Sequence, residues 1–358
     1  MKNVLKFTLS NPPTSWERVG RILEKGPDGS YDANVTGDPC IVWDDAIDLY
    51  RMFYFAQQHG ADKEQNQTAL AISGSATDVG PDDWIKQGPI KYINPELVGY
   101  DAHKAWVVMD PYRPNMPVRI KGKYWLFQAV YKGLNKVIML ATSESLDGPW
   151  LIQPEHVIDL GADDDIDAYN CDTPTAYWFE EREQILLFYK AYPKRPQLDQ
   201  PGSPVGSGTA AAIMTPEDRV AKKLGRILPP SPEKGHWTSG WVSTPQLFKA
   251  EQGGWFGLLN GSPTPPAPVK EEPAMREPAP SQGGWIYTPE EWPVSGWRAL
   301  EQPIEWIHDI PEKAKHNGEG VNMWRHHILV QPDGTLNLYY NSGAYGQEQL
   351  YGKRSQAK

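Results

Sequence analysis

Apolar and polar positions alternate along this chain in short runs, and one arrangement of them recurs. A polar group and a proline open an apolar run, a Gly or Asp turn follows, and an aromatic run closes the unit. The first copy covers 38–43, turns at 44–48 and continues over 49–55. The second is expected at 115–120, a turn at 121–123 and 124–127, and the third at 172–177, a turn at 180–183 and 185–189. The fourth covers 243–248, Gly253 and Gly254, and 255–259; the fifth covers 324–331, a turn at 332–334, and 336–340. Strand-length runs bounded by such breakers predict β-hairpins.

A second element follows most hairpins: a short strand ending in Ser or Thr, a polar loop, then a tryptophan near glycine or proline. Examples are 69–73 leading to Trp84, 138–142 leading to Trp150, and 285–288 leading to Trp297, with a weaker version at 210–215. Hairpin plus this element gives four strands per unit. The hairpin prolines Pro39, Pro117, Pro174 and Pro245 stand 78, 57 and 71 residues apart, and five units of about 72 residues fit the 358-residue chain. The fifth unit ends after a third strand at 349–355. A strand-like stretch at 5–10, followed by Trp16 and Gly20, has no hairpin before it. Pairing N-terminal sequence with the last unit supplies the missing strand and closes a ring, which protects edges that an open array would expose. The expected fold is therefore an all-β, five-bladed β-propeller spanning 1–358 as one domain. A two-sheet β-sandwich is the rival, since it too shows many short strands. Two Pro-rich stretches near 193–208 and 263–282 fall between strands of a unit and read as surface insertions.

Composition agrees with short strands: 32 glycines and 34 prolines in 358 residues interrupt any long helix. The 39% apolar content suffices for a core, and 15 tryptophans and 17 tyrosines supply flat surfaces for packing or for polar ligands. A formal charge of −10 without a basic stripe argues against a nucleic-acid partner. The chain has no apolar run of membrane-spanning length, so no membrane span is expected. Residues 1–20 contain no apolar segment of signal-peptide length, from which a cytoplasmic location is expected. Cys40 and Cys171 are too few for a disulfide scaffold and are read as reduced thiols.

In a propeller the first strand of each blade lines the central channel, so residues that open the hairpins converge. These are Asp38; Asp110 or Asn115; Asp172; Ser243 or Thr244; and 319–325. Carboxylates gathered from several blades are costly unless solvated, metal-bound, protonated or used in catalysis, and two of them across a sugar can act as general acid and base. Arg113, Trp241, Asn322 and Arg325 stand beside the blade starts, where indoles stack on sugar faces and guanidinium groups bind hydroxyls or carboxylates. Trp106 and Trp241 suit either packing or substrate contact. The run Asp163, Asp164, Asp165, Ile166, Asp167 lacks the glycine and distal glutamate of a calcium-binding EF-hand loop and reads as a solvated acidic loop.

Three features carry a resemblance over almost the whole chain: Gly37-Asp38-Pro39, Asp172-Thr173-Pro174, and a strand running from Ala141, Thr142 and Ser143 through Leu146, Asp147, Gly148 and Pro149 to Trp150. They resemble the five-bladed propeller glycoside hydrolases of families 43, 117 and 130 and their relatives in family 32. The resemblance implies a glycosidase that inverts configuration on a carbohydrate substrate, with Asp38 as general base (nucleophile in family 32). It implies a second-blade aspartate that tunes the site, here Asp110, with Asn115 as the alternative. For the acid, family 43 has a glutamate two residues before the third-blade proline. This chain has the shorter Asp172 there, which leaves Glu319, His316 and His327 as other candidates. Thr244 and His327 join the substrate-binding set. No cofactor is implied. A structural calcium ion near His326 or His327 is allowed by comparison with some family 43 members. A phosphorylase of the family 130 type and a non-catalytic sugar-binding propeller are the alternatives.

Overall fold

The computed structural model describes residues 6–58, 65–81, 83–98, 101–194, 206–263, 281–316, 318–320, 323–343 and 347–355. These residues form five small sheets, each the blade of a propeller. Blade 1 comprises Val35–Asp44, Leu49–Gln58, Gln65–Ser73 and Trp84–Pro89, from channel to rim. Blade 2 comprises His103–Val107, Tyr124–Lys132, Asn135–Ser143 and Leu151–Ile158, and blade 3 comprises Asn170–Phe179, Gln184–Tyr192, Gly208–Met214 and Lys222–Leu228. Blade 4 is built from Gln246–Ala250, Trp255–Ser262, Gln282–Thr288 and Arg298–Pro303, with Trp241–Val242 extending its inner edge. In blade 5, Met323–Val330, Leu336–Ser342 and Gln349–Ser355 are joined by Trp16–Leu23, which pairs antiparallel with Gln349–Ser355 and closes the ring.

Burial explains the sequence pattern. Inner strands such as Val35–Asp44 and Asn170–Phe179 are covered on both faces and read as nearly continuous buried runs. Rim strands such as Trp84–Pro89 alternate, with Ile85 exposed. Tryptophans that open or precede the fourth strand pack on the preceding blade: Trp84 meets Tyr339 edge-on at 6.0 Å, and Trp150 meets Phe53 at 5.9 Å. Blade 4 does the same through Trp292, whose ring lies 4.8 Å from that of Phe179 in blade 3.

The N-terminal stretch divides its work differently from the expectation. Trp16–Leu23 completes the last blade, whereas Thr8–Leu9 runs parallel to Gln246–Ala250 of blade 4. The second blade also differs: its inner strand is His103–Val107, where Trp106 pairs with Phe127, and 115–120 belongs to an excursion that follows it. The reason is burial, because Ala105, Trp106, Val107, Val108 and Met109 are all buried while the proline-led segment around Pro117 makes only an isolated bridge to Met109. Most of 193–208 and 263–282 lies outside the described residues. Their attachment points, Tyr192 with Gly208 and Ser262 with Gln282, lie at the end of the ring where the inner strands begin. No helix among the described residues is long and apolar enough to cross a membrane.

Candidate active site

Four of the five inner strands carry the same irregularity near their start. Register shifts fall between Gly37 and Cys40, His103 and Trp106, Asp172 and Thr175, and Trp324 and His327. At each shift one non-glycine residue has a positive φ: Asp38 (48°), Lys104 (55°), Thr173 (53°) and Arg325 (41°). In blade 4 the inner edge is interrupted at the same level, between Val242 and Gln246, where Thr244 precedes Pro245. Such bulges turn a side chain out of the ladder, and strained backbone of this kind gathers at functional sites. One ring of five positions, Asp38, Lys104, Thr173, Thr244 and Arg325, thus defines the mouth of the channel.

Asp38 is buried, and among the described residues its carboxylate accepts no hydrogen bond; only its backbone N–H is used, donating to Asn341 at 3.3 Å. The charges of Lys104 and Arg325 both act on it. Gly37 makes this arrangement feasible, since a Cβ there would lie 2.9 Å from the Asn341 amide nitrogen.

Asp172 has the opposite environment. It accepts from Lys104 at 2.8 Å, from Lys136 at 3.3 Å and from the Thr173 N–H at 2.8 Å. Burial works against its charge, but Lys104 and Lys136 outweigh burial and hold the carboxyl well below the usual carboxylate range. Burial also brings Lys136 down to about 8; Asp172 limits the fall and Lys104 adds to it. A third lysine, Lys190, pairs in register with Asp172 and places its ammonium 3.5 Å from the Trp241 ring centroid. Burial pushes Lys190 well below its ordinary value, and the neighbouring lysines add to the effect. His103 is held neutral by burial and by Lys136 and Lys104. Its ring lies 5.2 Å from Phe55 and stacks on Tyr131 at 5.8 Å.

Arg325 crosses the channel from blade 5 to donate to the Pro174 carbonyl of blade 3 at 2.8 Å, with its guanidinium over Trp106 of blade 2. Among the described residues its buried Nε and Nη1 have no hydrogen-bond partner. Thr244 donates to the Thr173 carbonyl at 2.8 Å and ties blade 4 to blade 3. Trp241 is fully buried and stacks on Trp324 at 5.4 Å.

Other candidates stand elsewhere. His327 lies deeper in the channel, where its Nε2 accepts from the Ile41 N–H and meets the Asn115 amide at 3.0 Å. Burial, then Arg325, lowers it to about 3, so it is neutral. Asn115 reaches the channel but closes it from the far side, donating to the Ile41 and Ile328 carbonyls and accepting from the Val330 N–H. Asp110 is not at the blade start. It follows the end of its inner strand, beside Met109, which exchanges backbone hydrogen bonds with Ala176 and Trp178. Those residues lie four to six positions along from Asp172, or roughly 13–20 Å at a strand's rise per residue. There Asp110 caps the Tyr112 N–H and binds Arg113 at 2.6 Å, so both serve a turn at the opposite end of the channel.

Glu319 is buried against Arg18 and accepts from Tyr340 at 2.5 Å, in a cluster with Glu305 and Lys353 between blades 4 and 5. His316 is exposed at the end of the helix Glu312–His316, and Asn322 lies outside the described residues. Asp167 binds Tyr189 at 2.8 Å and Lys223 at 2.8 Å, and so anchors blade 3 just as Asp32 binds Lys86 and Tyr54 in blade 1. No group of three or more His, Cys, Asp or Glu among the described residues is arranged to hold a metal ion. His326 stacks on Tyr340, and burial lowers it to about 3.

The sequence reading missed Lys104, Lys136, Lys190 and His103. Lys190 did leave a trace, as the one charge within the buried strand Gln184–Tyr192.

No family model and no curated protein matches this chain. Among solved structures, its neighbours are five-bladed propeller glycoside hydrolases. A structure titled "Glycoside hydrolase" aligns with a TM-score of 0.66 at 14% identity, over 96% of this chain and 93% of the other. A thermostable family-43 glycoside hydrolase aligns at 0.62 and 14%, over 94% and 93%. A third, from work on the GH130 family of mannoside phosphorylases and its glycoside hydrolases that target β-1,2 mannosidic linkages in Candida mannan, aligns at 0.64 and 12%, over 98% and 96%. At these identities the likeness is one of fold.

Proposed function

We propose that this propeller is an enzyme that cleaves glycosidic bonds at the channel mouth, with Asp38 as the group that activates the attacking water. The observation that carries the reading is the contrast between the two carboxylates. Asp172 is committed to Lys104 and Lys136, whereas the Asp38 carboxylate accepts no hydrogen bond among the described residues and is fixed on a positive-φ bulge. A base that takes a proton from water needs a free lone pair and a fixed position, and both are met at Asp38. Lys104 and Arg325 supply positive charge beside it.

Asp172 suits a different role from the proton donor of the sequence reading. A general acid must hold its proton near neutral pH, and a carboxyl pressed far below its usual range by two lysines does not. It acts instead as the counter-ion that keeps Lys104 charged and in place next to Asp38. Glu319, engaged by Arg18 and Tyr340 at a blade interface, is likewise occupied. The leaving oxygen then takes its proton from a group other than these two. Tyr131, 41% exposed and backed by the buried His103 ring, gives the mouth an aromatic surface against which a sugar ring can stack.

The test is turnover on a panel of aryl glycosides and oligosaccharides, with and without inorganic phosphate, and with the anomer of the first product read by NMR. Phosphate-independent release of sugar with inverted configuration supports the reading. Turnover only with phosphate replaces hydrolysis by phosphorolysis, and binding without turnover by folded protein overturns an enzymatic role.

A further inference from the structure

Cationic side chains gather at the mouth. Lys104, Lys136, Lys190 and Arg325 converge there around Asp38 and Asp172, although the chain as a whole carries −10. Lys104 and Lys136 share Asp172. Lys190 is left with no hydrogen bond or ion pair among the described residues, although it is only 4% exposed. Arg325 is equally buried, and two of its guanidinium nitrogens have no hydrogen-bond partner among the described residues. A buried cation without a partner is costly, and an oxyanion placed among such donors offsets that cost.

We infer that the substrate carries an acidic sugar residue, whose carboxylate or sulfate is received by Lys190, Lys136 and Arg325 beside Asp38. This inference rests on the glycoside reading and names its substrate class. An anion attached to a sugar fits better than a free ion, because the cations adjoin aromatic rings that are not fully buried. Tyr192 lies 5.0 Å from the Lys190 ammonium, and the 41% exposed Tyr131 lies 5.2 Å from that of Lys136. A sugar ring can rest on such a face while its charged substituent turns toward the lysines. The low proton affinity of Lys190 and Lys136 is the expected state of such a site before the anion arrives.

The experiment is calorimetric titration of the whole chain at pH 7 and moderate salt with glucuronate and galacturonate, their neutral parents glucose and galactose, and sodium sulfate. The wild type is expected to bind at least one uronate about 10-fold or more tightly than its parent, the step that one charge-assisted contact supplies. Lys190→Gln and, separately, Lys136→Gln should each erase most of that preference, and Lys190→Arg should retain part of it; the melting temperature of each variant reports its folding. Three results overturn the inference: uronate and parent bind alike or not at all, sulfate alone binds as tightly as the uronates, or the preference survives in both glutamine variants. A wild type that cleaves neutral glycosides through Asp38 and shows no uronate preference loses only this inference, and the catalytic reading stands.

Discussion

Asp38 owes its availability to neighbours that hold its backbone and leave its carboxylate alone. Asn341 lies flat against Gly37 and accepts the Asp38 N–H, so the side chain is aimed without being consumed. A methyl at position 37 would meet the Asn341 side chain at 2.9–3.2 Å and force it to shift. Gly37→Ala is therefore expected to lower kcat by about 10- to 100-fold with little change in KM, the scale on which small misplacements act; an unchanged kcat would show that Asn341 does not position the base. Asp172 makes a prediction in stability. Asp172→Asn leaves Lys104 and Lys136 uncompensated and should cost about 3 kcal/mol at pH 7, as loss of one partner of a buried pair does. The sign follows from the lowered pKa: the unfolded carboxyl titrates near ~3.9, so the stabilisation is complete above that pH and declines as pH falls toward the folded value. The gap between wild type and variant in chemical denaturation should accordingly be widest near neutrality and begin to shrink below about pH 4, and a gap independent of pH would contradict the ion-pair account. Asp38 was legible in the sequence because aspartate before proline at a strand start is a local signal. The lysines were not, because Lys104, Lys136 and Lys190 come from three strands of two blades and meet only once the ring is formed.

Among the elements, four of the five hairpins fall where alternation and turn residues put them. The second slipped because a polar-proline start at Asn115 and Pro117 imitates the repeat, while the true inner strand has Ala105 where blades 1, 3 and 4 have Pro39, Pro174 and Pro245. That slip carried Asp110 and Arg113 into the expected site and left Lys104 out of it. The run from Ala105 to Met109 was the available counter-signal, since continuous apolar residues mark a strand covered on both faces. The tryptophans that follow the third strands hold neighbouring blades together, as their edge-on contacts show. Trp84→Ala should remove about 3–5 kcal/mol, whereas Ile85→Ala, at a position 54% exposed, should stay within about 0.5 kcal/mol. Equal losses in denaturant unfolding at the two sites would count against blade-to-blade packing through Trp84.

At the scale of the whole molecule, ring closure is what makes a site from scattered residues. Trp16–Leu23 supplies the outer strand of a blade whose other strands end at Ser355, and this was readable because the last repeat is one strand short while the first stretch has a strand to spare. Closure brings four bulged inner strands and the interrupted edge of blade 4 to one mouth, and an acidic chain thereby presents a local surplus of cationic side chains around two aspartates. The position of that surplus could not be read from net charge, which averages over the rim. Within this frame the central claim concerns one carboxylate. Asp38→Asn keeps size and shape and removes the base, so the decisive measurement is kcat/KM of this variant against wild type on whichever glycoside the wild type cleaves, with melting temperatures compared alongside. The account predicts a loss of about 10²–10⁴-fold at an unchanged melting temperature, and turnover near the wild-type level in the folded variant would contradict it.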